Sequence, residues 1–183
     1  MKKNIRVNNE TFVIYLTDKK IRKRVIQLAK RISEDYQGRV PIFIGILNGA
    51  FMFMSDLIRH IKIDCEIDFL KLSSYGDAKI SSGNVKTLKE LNCQVEGRDI
   101  IVVEDIVDTG LSADFITRLI KQNNPRSLKF TTLLYKKDAI KINVPIDYIG
   151  FTIQNYFVVG YGLDYSQQVR NLRGIYRLED NKN

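Results

Sequence analysis

The sequence of 183 residues contains no tryptophan, one histidine, two cysteines and three prolines. Cys65 and Cys93 form neither a CxxC pair nor a Cys/His cluster with metal-ligand spacing, so we expect reduced, structural thiols. Because no Pro/Gly/Ser-rich stretch is present, nothing in the composition predicts a linker between two domains. We therefore expect one domain over residues 1–183, a length that buries a large apolar core without a metal or disulfide.

Long hydrophobic runs are also absent. No apolar stretch reaches the roughly 18 residues that a membrane-spanning helix needs. The N-terminal residues Met1-Lys2-Lys3-Asn4 are not followed by the apolar core and small-residue cleavage site of a secretory leader. The sequence therefore predicts a cytoplasmic protein that does not associate with a membrane.

Acidic residues are the minority charge, with 21 Asp and Glu against 29 Lys and Arg, giving a net charge of +8. Such a balance attracts anions, and nucleic acid, anionic lipid and a polyphosphorylated metabolite all fit it. The richest basic stretch, 19–31, also carries apolar residues at helical spacing, which favours a solvated helix face. His60 ends an amphipathic segment, and we do not expect a catalytic role for it.

Hydrophobic periodicity predicts alternating strands and helices. The predicted helices are Thr17 to Gly38, Phe51 to Ile61 and Ser112 to Gln122, and the predicted strands are Val40 to Leu47, Ile67 to Leu72, Ile100 to Val103, Leu128 to Tyr135 and Tyr148 to Thr152. The polar stretch from Asp77 to Cys93 predicts a long loop, either a lid or a disordered segment. This alternation indicates an α/β protein with a mainly parallel sheet flanked by helices, whose sites lie at the carboxyl ends of the strands.

One strand end carries an unusual concentration of polar groups, since Ile100–Val103 leads into Glu104-Asp105-Ile106-Val107-Asp108-Thr109-Gly110-Leu111-Ser112. Two carboxylates at the end of a buried strand need a hydroxyl or cationic partner, which a ribose diol with Mg²⁺ would supply. Small hydroxyl residues and a glycine before a helix N-terminus favour a phosphate. The alternative for this composition alone is an acidic loop capped by Ser112.

The ordered string resembles the phosphoribosyl-pyrophosphate motif of the phosphoribosyltransferases. Four further segments are similar to those of the hypoxanthine-guanine members, and the resemblance spans about Val40 to Tyr176. They are Ile46-Leu47-Asn48-Gly49-Ala50-Phe51, Leu72-Ser73-Ser74-Tyr75, Leu133-Leu134-Tyr135-Lys136-Lys137, and Phe157-Val158-Val159-Gly160-Tyr161-Gly162-Leu163-Asp164-Tyr165 with Arg170 and Leu172 following.

This resemblance implies the type I phosphoribosyltransferase fold. A core of about 17–155 would carry a small hood subdomain formed by the chain termini, about 1–16 and 156–183, and a mobile lid at about 73–93. It also implies a homodimer or homotetramer, with the early helices as the interface, that acts on small molecules and not on nucleic acid.

The resemblance further implies transfer of a phosphoribosyl group from 5-phosphoribosyl-1-pyrophosphate to hypoxanthine or guanine with Mg²⁺. It implies that the ribose and metal are held by Glu104 and Asp105, and the 5′-phosphate by Asp108, Thr109, Gly110, Leu111 and Ser112. The purine would be held by Lys136, Phe157, Val158 and Asp164, and the pyrophosphate by Asn48, Gly49 and Arg170. Asp164 would also be a metal ligand, and the lid would include Ser74 and Tyr75. Asp108 would handle the purine N7 proton as the catalytic group.

Two positions depart from the family pattern. Some members carry a basic residue where Asn48 stands, so we expect backbone rather than side-chain contact there, and Leu111 adds no side-chain donor to the phosphate loop. The open alternatives are transfer to xanthine, adenine or a pyrimidine, an RNA-binding regulator on the same fold, and a receiver domain. Lys136 argues against adenine because a cationic donor suits an exocyclic oxygen. A receiver domain would leave the C-terminal motifs unexplained.

Overall fold

A computed structural model describes residues 2–74, 85–89 and 91–179, with the backbone alone described for 73, 74 and 85–88. Its strands are β1 Asn4–Val7, β2 Glu10–Leu16, β3 Ile42–Leu47, β4 Glu66–Ser74, β5 Val85–Lys89, β6 Asp99–Val107, β7 Ser127–Tyr135, β8 Tyr148–Thr152, β9 Val158–Val159 and β10 Ile175–Leu178. The helices are α1 Asp18–Asp35, α2 Phe51–Ile58 and α3 Leu111–Lys121, and a short 3₁₀ turn covers Lys137–Ala139.

The larger sheet has six strands in the order β5-β4-β3-β6-β7-β8. Five are parallel, and β5 alone runs antiparallel, against β4. Strand β3 and residues 100–103 of β6 are apolar, because both faces of the sheet are covered there. Helices α1 and α2 pack on one face, with Leu28 and Phe53 in that core, and α3 packs on the other with Ile116. The predicted α/β architecture is confirmed.

Helix α1 follows the sequence prediction at both ends. The Thr17 hydroxyl accepts a hydrogen bond from the Lys20 amide (3.3 Å), as an N-cap residue does. Ile21, Val25 and Ile32 form part of its buried stripe. Gly38, in the left-handed region at φ 74°, follows the end of the helix. No helix in the described ranges is both long and apolar enough to cross a membrane.

The strand order places a reversal at β3. The chain passes from β3 through α2 to β4 on one side, then returns to β6 on the other side. The connections that leave the carboxyl ends of β3 and β6 therefore run in opposite directions. This divergence places a crevice between the two strand ends. Asn48 and Gly49 follow β3 at this point, and the acidic pair lies near the end of β6.

Segments near both ends of the described chain form a second sheet, which we call the terminal sheet. Its strand order is β1-β2-β10-β9, and every pairing is antiparallel. Phe12, Val159 and Tyr176 belong to a small core of its own. This confirms the hood formed by the chain termini, although β1 and β2 were not recognised as strands from the sequence.

Three boundaries differ from the sequence prediction. The stretch from Asp77 to Cys93 is not a continuous loop, because Val85–Lys89 forms β5 by pairing with β4. Strand β6 continues past Val103 to Val107, since its backbone keeps pairing with β7 as far as Tyr135. Helix α2 ends at Ile58 instead of Ile61. In each case backbone pairing or chain geometry sets the boundary. Neither leaves a periodic pattern of apolar residues from which the boundary could be predicted.

Candidate active site

The acidic pair lies within β6, and its two carboxylates have different surroundings. Glu104 is buried, and within the described residues its Oε1 has no hydrogen-bond partner. Burial, with the charges of Asp105 and Asp108 adding to it, raises the pKa of Glu104 well above its usual range. Such an uncompensated buried carboxyl is costly to the protein alone and marks a position where a ligand is expected.

Asp105 lies against the loop that follows β3. A Cβ built on Gly49 would stand 1.8 Å from Oδ2 of Asp105, so only a glycine fits there. Burial raises the pKa of Asp105 to about 6, with Asp164 adding to the effect and Arg170 opposing it. The pKa of Glu104 is thus affected by Asp108 in the loop after β6, whereas the pKa of Asp105 is affected by residues of the C-terminal segment.

These two carboxylates fit a divalent cation. No ion pair among the described residues involves Glu104 or Asp105, so both lack a protein cation. The described chain also holds no cluster of three metal-ligating side chains. Mg²⁺ commonly uses one or two carboxylates together with substrate phosphates, and this donor set suits that arrangement better than an all-protein metal cage.

The loop from Asp108 to Ser112 connects β6 to α3. Gly110 is left-handed at φ 82°, and a Cβ there would lie 2.1 Å from the carbonyl oxygen of Ile142. The exposed Asp108 carboxylate accepts hydrogen bonds from the amide and the hydroxyl of Thr109. No side chain caps α3, whose first turn therefore presents its amide groups at the loop. The arrangement suits an anion.

Lys136 follows β7 and lies beside the phosphate loop. Its amide donates to the carbonyl of Val107 at 2.9 Å. The side chain is half-buried, and burial lowers the pKa of Lys136 while the carboxylate of Asp108 opposes the change. The next residue, Lys137, is exposed. The structure thus brings Lys136 and Asp108 together and leaves Lys137 in solvent.

Phe157 presents an aromatic ring on the terminal sheet. The ring is 45% exposed, which is unusual for a phenylalanine and argues against a purely structural role. Its centroid is 5.4 Å from that of Tyr165 in an edge-to-face arrangement and 6.0 Å from that of Phe12. Val158, the next residue, is buried in β9 and pairs with Arg177. Phe157 therefore packs against Phe12 and Tyr165 and remains partly exposed to solvent.

Asp164 and Arg170 form an ion pair at 2.7 Å. Arg170 also donates through Nη1 to the carbonyl of Gly162 at 2.8 Å, and Asp164 accepts from the amide of Gln167 at 2.8 Å. Both residues influence the pKa of Asp105. The pair therefore faces the acidic strand end, with the Asp164 carboxylate already occupied by protein donors.

The other predicted site residues are placed as follows. Asn48 is exposed directly before Gly49, and the Leu47–Asn48 peptide bond is cis. Leu111 and Ser112 begin α3. The backbone of Ser74 ends β4 at the same edge of the sheet. Tyr75 lies outside the described residues.

Two residues near the site escaped the sequence reasoning. The hydroxyl of Tyr161 donates to Oδ2 of Asp56 at 2.6 Å, joining the C-terminal segment to α2. The nearest signal was the Gly-Tyr-Gly order at 160–162, because flanking glycines indicate an unusual backbone. Nothing in the sequence indicated Asp56 as the partner, since it looks like any polar position of an amphipathic helix.

The comparisons with known proteins agree on one family. Residues 14–166 match the sequence model described as Phosphoribosyl transferase domain. The hypoxanthine-guanine phosphoribosyltransferase of Bacillus subtilis strain 168 is 43% identical over 159 residues, covering 87% of this chain and 88% of that protein. The Bifunctional protein TilS/HprT of Listeria monocytogenes is 40% identical over 92% of this chain, which spans only 26% of its length.

A solved structure of a hypoxanthine-guanine phosphoribosyltransferase from Bacillus anthracis superposes with a TM-score of 0.86 and 39% identity. The match covers 91% of this chain and 98% of that one. Such identity over nearly full lengths, with the same arrangement of strands, exceeds what a shared fold alone would give. The chain therefore belongs to the phosphoribosyl transferase family and, within it, to the hypoxanthine-guanine phosphoribosyltransferases.

Proposed function

We propose that the protein transfers the 5-phosphoribosyl group of 5-phospho-α-D-ribose 1-diphosphate to N9 of hypoxanthine or guanine, yielding IMP or GMP and pyrophosphate. One observation carries this proposal: the buried carboxyl of Glu104 and the partly buried carboxyl of Asp105, both with raised pKa values, lie at the strand reversal, between a phosphate-type loop and the Gly49 loop. A sugar that bears a phosphate at one end and a diphosphate at the other matches that order of groups.

The 5′-phosphate would bind at the loop Asp108–Ser112. The amides of the first turn of α3 would donate to its oxygens, and the helix dipole favours the negative charge. The hydroxyls of Thr109 and Ser112 add donors, and Leu111 contributes its amide alone. Gly110 allows the backbone of the loop to lie close to Ile142.

Glu104 and Asp105 would hold the ribose hydroxyls and Mg²⁺. When bound, Mg²⁺ would neutralise charge on the diphosphate leaving group. Asp105 is the carboxylate better placed to bind the metal next to the diphosphate. It lies against Gly49, and the charge of Arg170 affects its pKa. Asp164 would join through water or after release of Arg170, since protein donors occupy its carboxylate now.

The leaving pyrophosphate would meet three groups. The backbone amides of Asn48 and Gly49 would donate from one side, and the guanidinium of Arg170 would approach from the other. Because charge accumulates on the leaving group as the bond at C1 breaks, these donors stabilise the transition state more than the ground state.

The purine would lie between Phe157 and the end of β7. Phe157 would stack on the base, the backbone of Val158 would read its edge, and Lys136 would donate to the exocyclic oxygen at C6. Burial makes Lys136 a stronger discriminator, because an unsatisfied half-buried ammonium is costly. A base with an amino group at that position would leave it without an acceptor.

Asp108 would accept or hold the proton of purine N7 as N9 attacks C1 of the ribose. Its carboxylate is exposed and lies close enough to Lys136 to affect the pKa of that lysine. The ribose ring develops oxocarbenium character at this stage, so water could attack C1 and hydrolyse the sugar. Ser74 and Tyr75 would belong to a lid at about 73–93 that excludes water during the reaction.

We also propose a cytoplasmic homodimer or homotetramer that uses the early helices as its interface. Exposed Ile26 on α1 and Phe51 on α2 support an interface there. Light scattering coupled to size exclusion would give the mass. A monomer at micromolar concentration would contradict this proposal.

A competition assay tests the function directly. The protein, Mg²⁺ and 5-phosphoribosyl-1-pyrophosphate are incubated with hypoxanthine, guanine, xanthine and adenine together, and the nucleotides are separated. We expect IMP and GMP to dominate. Formation of AMP alone would contradict the proposal, and no nucleotide together with salt-dependent RNA binding would favour the regulator instead.

A further inference from the structure

The segment 160–164 carries Asp164 and has an unusual backbone. Gly160, Tyr161 and Gly162 are all left-handed, at φ 94°, 53° and 100°. Their amides donate to Leu163, Leu172 and Arg170. A left-handed conformation is unfavourable for a tyrosine, so the surrounding contacts must hold it.

This segment lies directly on the loop that follows β3. A Cβ at Gly162 would stand 2.1 Å from the carbonyl oxygen of Gly49. The carbonyl of Gly162 in turn accepts from Nη1 of Arg170 at 2.8 Å. One residue thus contacts both halves of the proposed pyrophosphate site, the Gly49 loop and Arg170.

Tyr161 joins the same segment to α2. Its side chain is buried at 6% exposure, and its hydroxyl donates to Oδ2 of Asp56 at 2.6 Å. Burial and the Asp56 carboxylate both raise the pKa of Tyr161, so the hydroxyl stays protonated and remains a donor. Helix α2 begins at Phe51, two residues after Gly49, so a bond to α2 also fixes the end of that loop.

We propose that Tyr161 and Asp56 are positioning residues for pyrophosphate: their hydrogen bond holds segment 160–164, whose Gly162 carbonyl accepts from Arg170, at a fixed distance from the Gly49 loop. Neither residue touches the reacting atoms. The inference rests on the proposed function, because it assigns a role within that site. A two-sided anion site requires both sides to be in register, and misplacement by about 1 Å is enough to weaken it.

The chain supplies a matched control pair. The hydroxyl of Tyr148 donates to Oδ2 of Asp35, also at 2.6 Å, and Tyr148 is fully buried. This pair joins β8 to α1, away from the Gly49 loop. Tyr161→Phe and Tyr148→Phe therefore each remove a tyrosine–aspartate hydrogen bond from a buried side chain, and only the first change acts on the proposed site. The Tyr148 hydroxyl also accepts from Lys129 at 3.3 Å, so Tyr148→Phe removes one further contact.

The measurements are the KM for pyrophosphate in the reverse reaction with IMP, the KM for hypoxanthine in the forward reaction, and the urea midpoint. We expect Tyr161→Phe to raise the KM for pyrophosphate about 10-fold, as loss of a hydrogen bond to a charged group would. The KM for hypoxanthine should stay within about twofold. Tyr148→Phe should lower the urea midpoint comparably and leave both KM values near wild type.

Three further variants distinguish a loss of positioning from the cost of burying an unpaired charge. Asp56→Asn keeps an acceptor oxygen for Tyr161 and should raise the KM for pyrophosphate less than Asp56→Leu does. The double variant Tyr161→Phe/Asp56→Leu leaves neither partner unsatisfied, so its stability should recover while the KM for pyrophosphate stays high. Asp56→Asn also serves as the test if Tyr161→Phe does not fold.

Equal effects of Tyr161→Phe and Tyr148→Phe on the KM for pyrophosphate would overturn the inference. A parallel rise in the KM values for pyrophosphate and hypoxanthine would overturn it too, because a general loosening would explain that result. Failure of the proposed function is recognised separately, since the wild-type protein would then form no IMP.

Discussion

Gly49 and Asp105 lie in direct contact across the strand reversal. Gly49 follows β3, and Asp105 belongs to the neighbouring parallel strand β6. A Cβ on the glycine would stand 1.8 Å from Oδ2 and 2.5 Å from Cγ of the aspartate. The absence of one side chain therefore lets the carboxylate of β6 reach the loop of β3. That contact brings the carboxylate proposed to bind the metal beside the amides proposed to hold pyrophosphate.

Replacing Gly49 with alanine should displace the Asp105 carboxylate. Because the aspartate is short, it has to rotate away from the loop, and misplacement of about 1 Å can cost about 100-fold in rate. We expect kcat/KM for 5-phosphoribosyl-1-pyrophosphate to fall about 100-fold, measured at saturating hypoxanthine. Gly38→Ala is the control, since its left-handed glycine has nothing within 4 Å of a Cβ, and it should lower stability without changing kcat/KM.

The affinity for Mg²⁺ should fall as the pH drops through about 6. Asp105 has its pKa raised to about 6, so the free protein binds a proton there that the metal must displace. Above that pH the carboxylate is charged and no proton is released from it. Glu104, whose pKa is also raised, adds to the proton release.

Calorimetry with Mg²⁺ and 5-phosphoribosyl-1-pyrophosphate, in two buffers of different ionisation enthalpy, counts these protons. Affinity at pH 5 should be at least about 10-fold weaker than at pH 7. Asp105→Asn should reduce the number of protons released. Excess chelator should abolish transfer at every pH, and full activity in chelator would remove Mg²⁺ from the mechanism.

Asp108→Asn should lower kcat about 100-fold and leave the KM values nearly unchanged. The amide oxygen can still accept from the amide and hydroxyl of Thr109, so the loop keeps its shape, but basicity and charge are lost. Single-turnover rates should be compared, because product release can conceal the chemical step. An unchanged chemical rate would exclude Asp108 as the base.

Lys136→Ala should lower kcat/KM for hypoxanthine by about 10-fold to 150-fold, equivalent to about 1.5 to 3 kcal/mol for a charge-assisted hydrogen bond. Activity with adenine should fall less, and the KM for 5-phosphoribosyl-1-pyrophosphate should barely change. Lys137→Ala is the matched control, because that neighbour is exposed. Damage from Lys137→Ala alone would place the purine contact one residue later.

Asp68→Asn should destabilise the protein by about 2 kcal/mol near neutral pH. Burial alone would raise the pKa of Asp68, but hydrogen bonds from the amides of Cys93, Phe69 and Asn92 and from Lys89 outweigh it and lower the pKa to about 2. The stabilisation is therefore complete above the unfolded pKa near 4 and is lost as the pH falls toward 2.

Urea midpoints at pH 7 and at pH 3.5 measure this dependence. The gap between wild type and Asp68→Asn should be smaller at the lower pH. Glu66→Gln is the control, because its ion pair with Arg98 leaves the Glu66 side chain 51% exposed and should be worth less than about 1 kcal/mol. A gap that does not depend on pH would contradict the assigned role of the carboxylate.

Local sequence determined most of the helices and strands. The stripe of α1, its Thr17 cap and the β-branched run of β6 are written in neighbouring residues, and burial on one or both faces follows from them. The pattern failed at β5, whose pairing with β4 depends on a neighbour strand and not on its own polar residues. It also ended β6 too early, because pairing with β7 extends that strand past the apolar run.

The sequence by itself also predicted the residues of the candidate site, because the acidic pair, the stretch Asp108–Ser112, Lys136 and Phe157 each lie in a short motif. Tertiary structure alone decided which of these groups meet. Gly49 reaches Asp105 through a strand reversal, and Tyr161 reaches Asp56 across 105 residues of chain. Such contacts depend on strand order and on the close approach of backbones, and neither has a period that one sequence can display.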